Sequence, residues 1–350
     1  MWGRIYQKRD VVIEALEFRT PPYVPWSGGA TRGCEERLKN FLKEEDLDVF
    51  FDNHIWLCPP QIPGGGWLDE LHYRDPYGVV WAKKIKHEMG TPCDHPIKRP
   101  EDLSSYSWPD PRNEGWYVDL GKWRRDLSDR FTVFMCGGVL FERAWTLRGM
   151  EDLLADMVER PEFVDELMDA IVEHTLIQVH KAVQMGFDAV FFGDDYGMQT
   201  GLIMGTPRWR HFIKPRLKRL FEPIRNAGKY VYLHSCGKVE SLFDELAEIG
   251  LNVFNPFQPE VMDVFTLLPQ YRGRLSFHGG LGVQSTLPMG TADEVRAMTR
   301  RLLQTGRNGG YIFGPSHETP EDVPPENLVA MVEELKQQPG YLEDKRQGGF

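Results

Sequence analysis

Residues 229–256 read KYVYLHSCGKVESLFDELAEIGLNVFNP, and the fold prediction begins from this stretch. Its first part, 229–237, is rich in apolar, β-branched and aromatic residues, which is typical of a buried strand. Residues 239–250 carry apolar side chains at helical spacing and end at a glycine, a common residue after the last helical turn. Residues 251–256 predict a second strand. The stretch is therefore a strand–helix–strand unit, from which parallel sheets are built.

The same alternation extends over the second half of the chain. Repeated about six times, it predicts parallel strands joined by crossover helices. The strands are short apolar runs, as expected for strands covered on both faces. Either a closed (β/α)8 TIM barrel or an open doubly wound sheet fits this pattern. Further strands are predicted at 131–138, 187–195, 274–280 and 309–318, and further helices at 149–159, 161–185, 207–227, 261–271, 292–306 and 324–337.

Polar side chains at the carboxyl ends of several strands favour the barrel. In a barrel those ends converge on one mouth, whereas in an open sheet they spread along an edge. No G-x-G-x-x-G sequence follows an early strand, so the fingerprint of a dinucleotide-binding fold is missing. We therefore predict an α/β chain folded as a TIM barrel. The polar residues at the predicted strand ends are Asp194, Asp195, His234, Cys236, Asn255, His278, Ser316 and His317.

The first third of the chain is less regular. Helices are predicted at 8–18 and 34–47, and residues 52–116 are rich in Trp, Tyr, Pro, Gly and His. The chain, residues 1–350, is interpreted as a single domain in three parts. Residues 1–125 are helices and loops that cover the barrel mouth, 126–337 are the regular β/α repeats, and 338–350 are a frayed tail.

Composition and charge restrict the function classes. The chain has 350 residues and a net charge of −11 at pH 7; an acidic surface repels phosphate backbones, so no nucleic-acid partner is expected. No apolar run approaches the ~20 residues of a membrane helix, and the N-terminus has no apolar signal core, so a cytoplasmic location without membrane contact is expected. Five scattered cysteines do not suggest a disulfide framework. A homodimer is compatible with the commonness of twofold assemblies.

His234 and Cys236 are the first candidates for metal ligands. They are two residues apart at a strand end, so their side chains point the same way and offer half of a tetrahedral zinc site. His317 also follows a predicted strand and could complete a triad, which leaves the fourth position open as in catalytic zinc sites. The alternative is a core histidine beside an inert cysteine, with His317 bonded to a backbone carbonyl.

Two adjacent carboxylates, Asp194 and Asp195, close one predicted strand and point to opposite faces. One can face the mouth as metal ligand or general base, while the other caps a helix. They are predicted as catalytic residues together with His278, where the following glycines let a ligand approach the backbone. For each of these three, a structural role is the alternative. The predicted substrate-binding residues are polar or aromatic and follow strands or lie in the aromatic N-terminal region: Asn53, His54, His72, Trp145, Tyr196, Gln199 and Asn255.

Several motifs together resemble the uroporphyrinogen decarboxylase superfamily, and more narrowly its methyltransferase-like branch. They are GDDYGMQTGLIMGTPRWRHFIKPRLKRLFEPI, YLHSCG, ELAEIGLNVFNPFQPEVMD, FHGGLGVQSTLPMGTADEVR and GGYIFGPSHETPEDVPPENLVAM, which begin at residues 193, 232, 245, 277 and 309. The resemblance covers most of the chain and implies a (β/α)8 barrel.

The resemblance implies two competing activities. Corrinoid-linked methyltransferases of this family bind zinc through H-x-C and a later cysteine; His234 and Cys236 match the pair, and His317 takes the place of the cysteine. The implied activity is then a zinc-dependent transfer of a methyl group between a small ether, amine or thiol and a separate corrinoid (cobalamin) protein. True uroporphyrinogen decarboxylases need no cofactor and grip their substrate with arginines of an N-terminal MRQAGRY-like segment. Here that region reads VPWSGGATRGCEERL, which keeps Arg32 and Arg37 but not the motif. A barrel that only binds a tetrapyrrole or another small molecule is the non-catalytic alternative.

Overall fold

A parallel sheet of seven strands forms the centre of the computed structural model, which describes residues 6–85 and 89–347. Six further short strands lie outside it. In chain order the strands are β1 (Ile55–Cys58), β2 (Gly66–Trp67), β3 (His72–Arg74), β4 (Val80–Ala82), β5 (Thr91–Asp94), β6 (Phe131–Gly138), β7 (Ala189–Gly193), β8 (Gly197–Met198), β9 (Gly201–Leu202), β10 (Tyr230–His234), β11 (Val253–Phe257), β12 (Ser276–Leu281) and β13 (Tyr311–Pro315).

The central sheet closes on itself. Its strands are parallel and follow the order β1-β6-β7-β10-β11-β12-β13. A short extended segment at residues 25–27 joins the two edges. The Phe313 amide of β13 donates to the Pro25 carbonyl at 2.9 Å, and the His54 amide next to β1 donates to the Trp26 carbonyl at 3.0 Å. The seven strands and this segment make an eight-membered ring, so the TIM-barrel prediction is confirmed.

Helices surround the ring and begin and end where the sequence chemistry requires. Helix α7 starts with Pro161 and ends before Gly186, which has a left-handed φ of 79°. The helices are α1 (Lys8–Leu16), α2 (Arg32–Leu42), α3 (Leu47–Phe51), α4 (Val118–Asp126), α5 (Leu140–Arg148), α6 (Met150–Glu159), α7 (Pro161–Met185), α8 (Gly205–Arg208), α9 (Lys214–Asn226), α10 (Phe243–Glu248), α11 (Val264–Gln270), α12 (Thr286–Met289), α13 (Ala292–Gly306), α14 (Pro325–Lys336) and α15 (Pro339–Gln347).

The amino ends of the strands are covered by α1. Its Val12 and Leu16 pack with the apolar side chains inside the ring: Ile55, Phe131, Val133, Ala189, Tyr232, Val253 and Ile312. Arg9 donates from Nη2 to the buried Asp188 carboxylate at 2.7 Å and ties the helix to the start of β7. Part of the segment 1–125 therefore differs from the expectation that it covers the mouth. Helix α1 lies at the opposite end, and residues 25–27 and β1 belong to the wall.

The remaining parts differ in detail from the sequence prediction. Strands β2 to β5 form a separate antiparallel sheet in the aromatic N-terminal region. The expected frayed tail, 338–350, instead contains α15, and residues 348–350 lie outside the described part. Gln338 exchanges hydrogen bonds with the Val24 backbone, and the Tyr341 hydroxyl donates to Asp52 at 2.6 Å. None of the helices in the described ranges combines the length and apolar character needed to cross a bilayer.

Candidate metal centre and active site

Three potential metal ligands converge at the carboxyl ends of the strands. His234 ends β10, Cys236 follows two residues later, and His317 follows β13. One ligand atom from each residue lies within 4.8 Å of the others. The His234 Nε2 and Cys236 Sγ atoms are 3.4 Å apart, and the two imidazole centroids are 5.6 Å apart. Two imidazoles and one thiol that close together form a donor set suited to a zinc ion, with room for a further ligand.

The imidazole of His234 is oriented by its neighbours. Its Nδ1 donates to Asn255 Oδ1 at 2.7 Å, and the Asn255 amide donates to the His278 carbonyl at 3.1 Å. This chain of bonds fixes the tautomer and leaves the Nε2 lone pair facing Cys236. Burial lowers the pKa of His234, while nearby Asp195 opposes that shift. A neutral, oriented imidazole is the form that binds a metal.

The thiol of Cys236 is half-buried and surrounded by negative charge. Its backbone N–H donates to Asp195 Oδ1 at 2.7 Å, and the next N–H, of Gly237, donates to Gln258 Oε1 at 2.8 Å. Burial raises the pKa of the Cys236 thiol, and the charges of Asp195 and Glu142 add to the rise. A bound cation would reverse this effect, since it stabilises the thiolate.

The two adjacent carboxylates after β7 have different surroundings. Asp194 is fully buried and accepts hydrogen bonds from the amides of Phe141 and Glu142, at 3.2 and 2.6 Å, and from the Tyr196 hydroxyl at 2.6 Å. It therefore caps the start of α5, and its predicted catalytic role has no geometric support. Asp195 turns toward the cluster, with Oδ1 at 3.8 Å from His234 Nε2.

Glu142 also belongs to this site, although it was not among the predicted site residues. A Cβ placed on Gly138 would lie a tight 3.0 Å from Glu142 Oε2, so this glycine leaves room for the carboxyl group, and a Cβ placed on Gly193 would lie in ordinary contact with the same oxygen at 3.5 Å. Gly193 shares the inward face of β7 with Ala189 and is paired directly with His234. Glu142 thus lies inside the mouth beside His234. Burial, followed by the charge of Asp195, raises its pKa to about 7. The signal in the sequence was a charged residue shortly after the CGG turn at residues 136–138.

His278 and Tyr196 are held by structural contacts. The Nε2 of His278 donates to the Ser27 carbonyl at 3.2 Å, and burial lowers its pKa to about 4, so the ring is neutral. The His278 ring thus contacts the segment that closes the barrel, and its backbone carbonyl accepts a hydrogen bond from the Asn255 side chain. Tyr196 is fully buried with its hydroxyl on Asp194. The catalytic role of His278 and the substrate-binding role of Tyr196 stay predictions, because the contacts described for these side chains are made with other residues than the three clustered ligands.

The remaining predicted substrate-binding residues are dispersed. Gln199 lines the cavity beside the cluster. The Asn53 amide exchanges two hydrogen bonds with the Gly28 backbone, and His54 is fully buried between the rings of Tyr23 and Trp26. Asn255 orients His234. His72 pairs with Asp69 at the surface of the antiparallel sheet, and Trp145 packs against the core from α5.

A cavity of about 580 Å³ opens beside the metal-ligand cluster, with Cys236 and His317 in its wall. This volume lies within the range of small-molecule sites. The loops that follow β7, β10, β11, β12 and β13 contribute the other lining residues: Gly197, Met198, Gln199, Gly237, Gln258, Glu260, Val261, Val283, Gln284, Glu318 and Pro320.

A parallel barrel with buried titratable groups and a small-molecule cavity at its carboxyl-terminal mouth defines the class, a TIM-barrel enzyme. The family model described as Uroporphyrinogen decarboxylase (URO-D) matches residues 84–338. The chain belongs to this family, as the sequence motifs suggested.

Individual relatives include both decarboxylases and methyltransferases. The chain is 25% identical to "Uroporphyrinogen decarboxylase" of Syntrophotalea carbinolica, over 60% of this chain and 61% of that protein. It is 20% identical to "Methylcobamide:CoM methyltransferase MtaA" of Methanosarcina barkeri, over 50% of this chain and 49% of that protein. A solved methyltransferase from Methanosarcina mazei has the same fold, with a TM-score of 0.73, 16% identity and coverage of 95% of this chain and 99% of that one. The chain is thus a member of the URO-D family with methyltransferase-like relatives.

Proposed function

We propose that the protein is a zinc-dependent methyltransferase that moves a methyl group between a small ether, amine or thiol and a corrinoid protein. One observation carries the proposal: donor atoms of His234, Cys236 and His317 lie within 4.8 Å of one another. The cluster borders a cavity large enough for a small substrate. A corrinoid partner is proposed because one relative is named for methylcobamide chemistry.

The described residues fit the zinc ion that this activity requires. His234 Nε2, Cys236 Sγ and one His317 nitrogen would hold it. Zinc would supply Lewis acidity that activates a bound thiolate or alkoxide as a nucleophile, or polarises an ether oxygen as a leaving group.

The other residues of the site would position ligands and move protons. Asn255 keeps the Nε2 lone pair of His234 directed at the cluster. Asp195 lies within reach of the same nitrogen and, by its charge, favours a cation there. Glu142 is the group we assign to proton exchange with the substrate heteroatom, because its carboxyl group lies in the mouth and its pKa is raised to about 7.

Elemental analysis of the purified protein tests the metal assignment directly. We expect about one zinc per chain and its loss in Cys236→Ala, because removal of the thiolate leaves two imidazoles. Cys93→Ala is the matched control, since Cys93 is exposed on β5 and remote in sequence from the cluster. Equal zinc content in parent, Cys236→Ala and Cys93→Ala would exclude the assignment. Methyl transfer itself is followed by the absorbance change of methylcob(III)alamin.

Decarboxylation of a tetrapyrrole is the second candidate function, because several relatives are named uroporphyrinogen decarboxylase. It predicts formation of coproporphyrinogen from uroporphyrinogen without any metal. The substrate's acetate and propionate groups call for cationic partners. The two arginines kept in the N-terminal region are engaged elsewhere: Arg32 pairs with Glu36, and Arg37 donates to the Glu321 carbonyl. The absence of the MRQAGRY-like motif from this region favours methyl transfer over decarboxylation.

A further inference from the structure

The charged side chains that line the cavity beside the cluster are acidic. Glu260 and Glu318 are acidic, and three glutamines are neutral. Among the described residues that line it, there is no lysine or arginine. A wall of this kind attracts positive groups and repels anions, and the effect is strengthened where water is partly excluded.

The carboxylate of Glu260 is fixed at the wall. Its Oε1 accepts hydrogen bonds from the backbone N–H of Gln284 at 3.1 Å and from the Ser285 hydroxyl at 3.2 Å. Its Oε2 accepts from the Ser316 hydroxyl at 3.4 Å. Ser316 is fully buried and directly precedes His317, so the negative charge is held close to the candidate metal ligands. A fixed charge selects ligands more strongly than a mobile side chain, because no ordering cost is added on binding.

The inner end of the site is also negative. Asp195 Oδ1 lies 3.8 Å from His234 Nε2 and accepts a hydrogen bond from the Cys236 backbone N–H at 2.7 Å, and the Glu142 carboxyl group lies beside Gly193 in the same part of the mouth. Lys238 lies 3.7 Å from Glu240, and the Arg143 guanidinium lies over the Tyr77 ring, from where its charge acts on Glu142. Zinc bound by two imidazoles and one thiolate would add one net positive charge. The carboxylates of Asp195, Glu260 and Glu318 outweigh it even when Glu142, the group assigned to proton exchange, is not counted.

We propose that the cavity accepts a substrate whose end remote from the reacting heteroatom is cationic, and that it disfavours a sulfonate or carboxylate at that end. The inference rests on the proposed function only in placing the reacting heteroatom at the metal-ligand cluster. Proteins that bind an anionic tail place arginine or lysine around it. This cavity presents Glu260, Glu318 and amide groups in the corresponding wall.

Three two-carbon thiols that differ only in their terminal group test the inference. They are cysteamine, 2-mercaptoethanol and 2-mercaptoethanesulfonate, with a cationic, neutral and anionic end. We titrate each into the full-length cobalt(II)-loaded protein and follow the thiolate-to-cobalt charge-transfer absorption. The expected order of affinity is cysteamine, then mercaptoethanol, then the sulfonate, with roughly tenfold between the two extremes for unit charges interacting across a partly hydrated cavity.

Charge-neutralising variants separate the cavity's preference from the intrinsic acidities of the thiols. Glu260→Gln keeps a hydrogen-bond acceptor and should reduce the cysteamine-to-sulfonate preference about threefold or more. Glu318→Gln should act in the same direction without affecting folding, since Glu318 is exposed. Glu222→Gln, on the exposed face of α9, is the matched control and should leave the preference unchanged. Sulfonate binding equal to or tighter than cysteamine binding would overturn the inference, as would a preference unaffected by both glutamate variants.

Ligand-observed NMR of the same three molecules on the metal-free protein distinguishes the two ways of failing. Cysteamine contacts that disappear in Glu260→Gln, without any cobalt absorption, would contradict the metal assignment and support the charge preference. Cobalt absorption of equal strength with all three thiols would support the metal site and overturn the charge preference. Absence of binding by all three in both experiments would refute the inference.

Discussion

Substitution of Asn255 by alanine tests whether the histidine at the end of β10 is a metal ligand whose orientation matters. Asn255 accepts from His234 Nδ1 at 2.7 Å and donates to the His278 carbonyl at 3.1 Å. Alanine removes both bonds and lets the imidazole rotate or change tautomer. The three candidate ligands themselves stay in the chain. Any loss of metal affinity must then come from orientation.

The size of the effect follows from the bonds lost. A part-buried hydrogen bond contributes about 1 to 1.5 kcal/mol, and 1.4 kcal/mol corresponds to about tenfold in affinity. Loss of an outer-shell partner of a metal-bound histidine lowers metal affinity about 10- to 100-fold. We therefore expect zinc binding to weaken by at least about tenfold in Asn255→Ala.

Competition with a chromophoric chelator measures the zinc affinity, and thermal unfolding measures stability in the same samples. Asn327→Ala is the control, because Asn327 of α14 is buried and donates two hydrogen bonds of 2.8 Å to the carbonyls of Leu287 in α12 and of Gly290 just after it. It should lose stability and keep its zinc affinity. Unchanged zinc affinity in a folded Asn255→Ala protein would refute the orienting role.

Two buried carboxyl groups, Glu142 at the mouth and Asp194 at the start of α5, give further predictions. Because the folded-state pKa of Glu142 is about 7, above the ordinary value of 4.5, the folded metal-free protein keeps its proton longer than the unfolded chain. The free energy of unfolding of the metal-free protein should therefore fall by up to roughly 3 kcal/mol as the pH rises from about 4.5 to about 7. Glu142→Gln should abolish this fall, and parallel pH profiles of unfolding for parent and variant would contradict the prediction. Asp194→Ala leaves two amides of α5 and the Tyr196 hydroxyl without their acceptor, so we expect a loss of about 2 to 4 kcal/mol in denaturant unfolding with zinc content retained. Loss of zinc without loss of stability would instead make Asp194 part of the metal centre.

The regular half of the fold was predictable because each element carries a complete local signal. The predicted helix 161–185 has the same bounds as α7, since Pro161 marks its start and Gly186 its end. The predicted strand 131–138 coincides with β6, an apolar run that ends in glycines. The ring-closing segment 25–27 and β1 carry no such signal. They are short, the first lies among prolines, and their strand character comes from hydrogen bonds to partners distant in the chain.

The candidate site was predictable where side-chain direction follows from strand periodicity. His234 and Cys236 were paired by the period of two, and His317 by the convergence of strand ends in a barrel. The roles of Asp194 and Asp195 could not be assigned, because alternation shows that adjacent residues face opposite sides without showing which side is the mouth. Glu142 was not among the predicted site residues because its position beside Gly193 comes from a contact between residues distant in the chain, for which the sequence carries no local signal.

The proposed ligand set of two imidazoles and one thiolate would have an electrostatic consequence for the whole mouth. Each thiolate exchanged for a neutral imidazole leaves a bound divalent ion with one more unit of uncompensated positive charge, and such charge is costly in a half-buried site. Asp195 lies 3.8 Å from His234 Nε2, and Glu142 lies over the strand position paired with His234, so both can offset that charge without being among the three clustered ligands. The carboxylates that raise the pKa of Cys236 in the metal-free protein thus become stabilising once the ion is bound. The same surplus of negative charge extends outward to Glu260, which would link the proposed ligand set to the proposed preference for a cationic substrate.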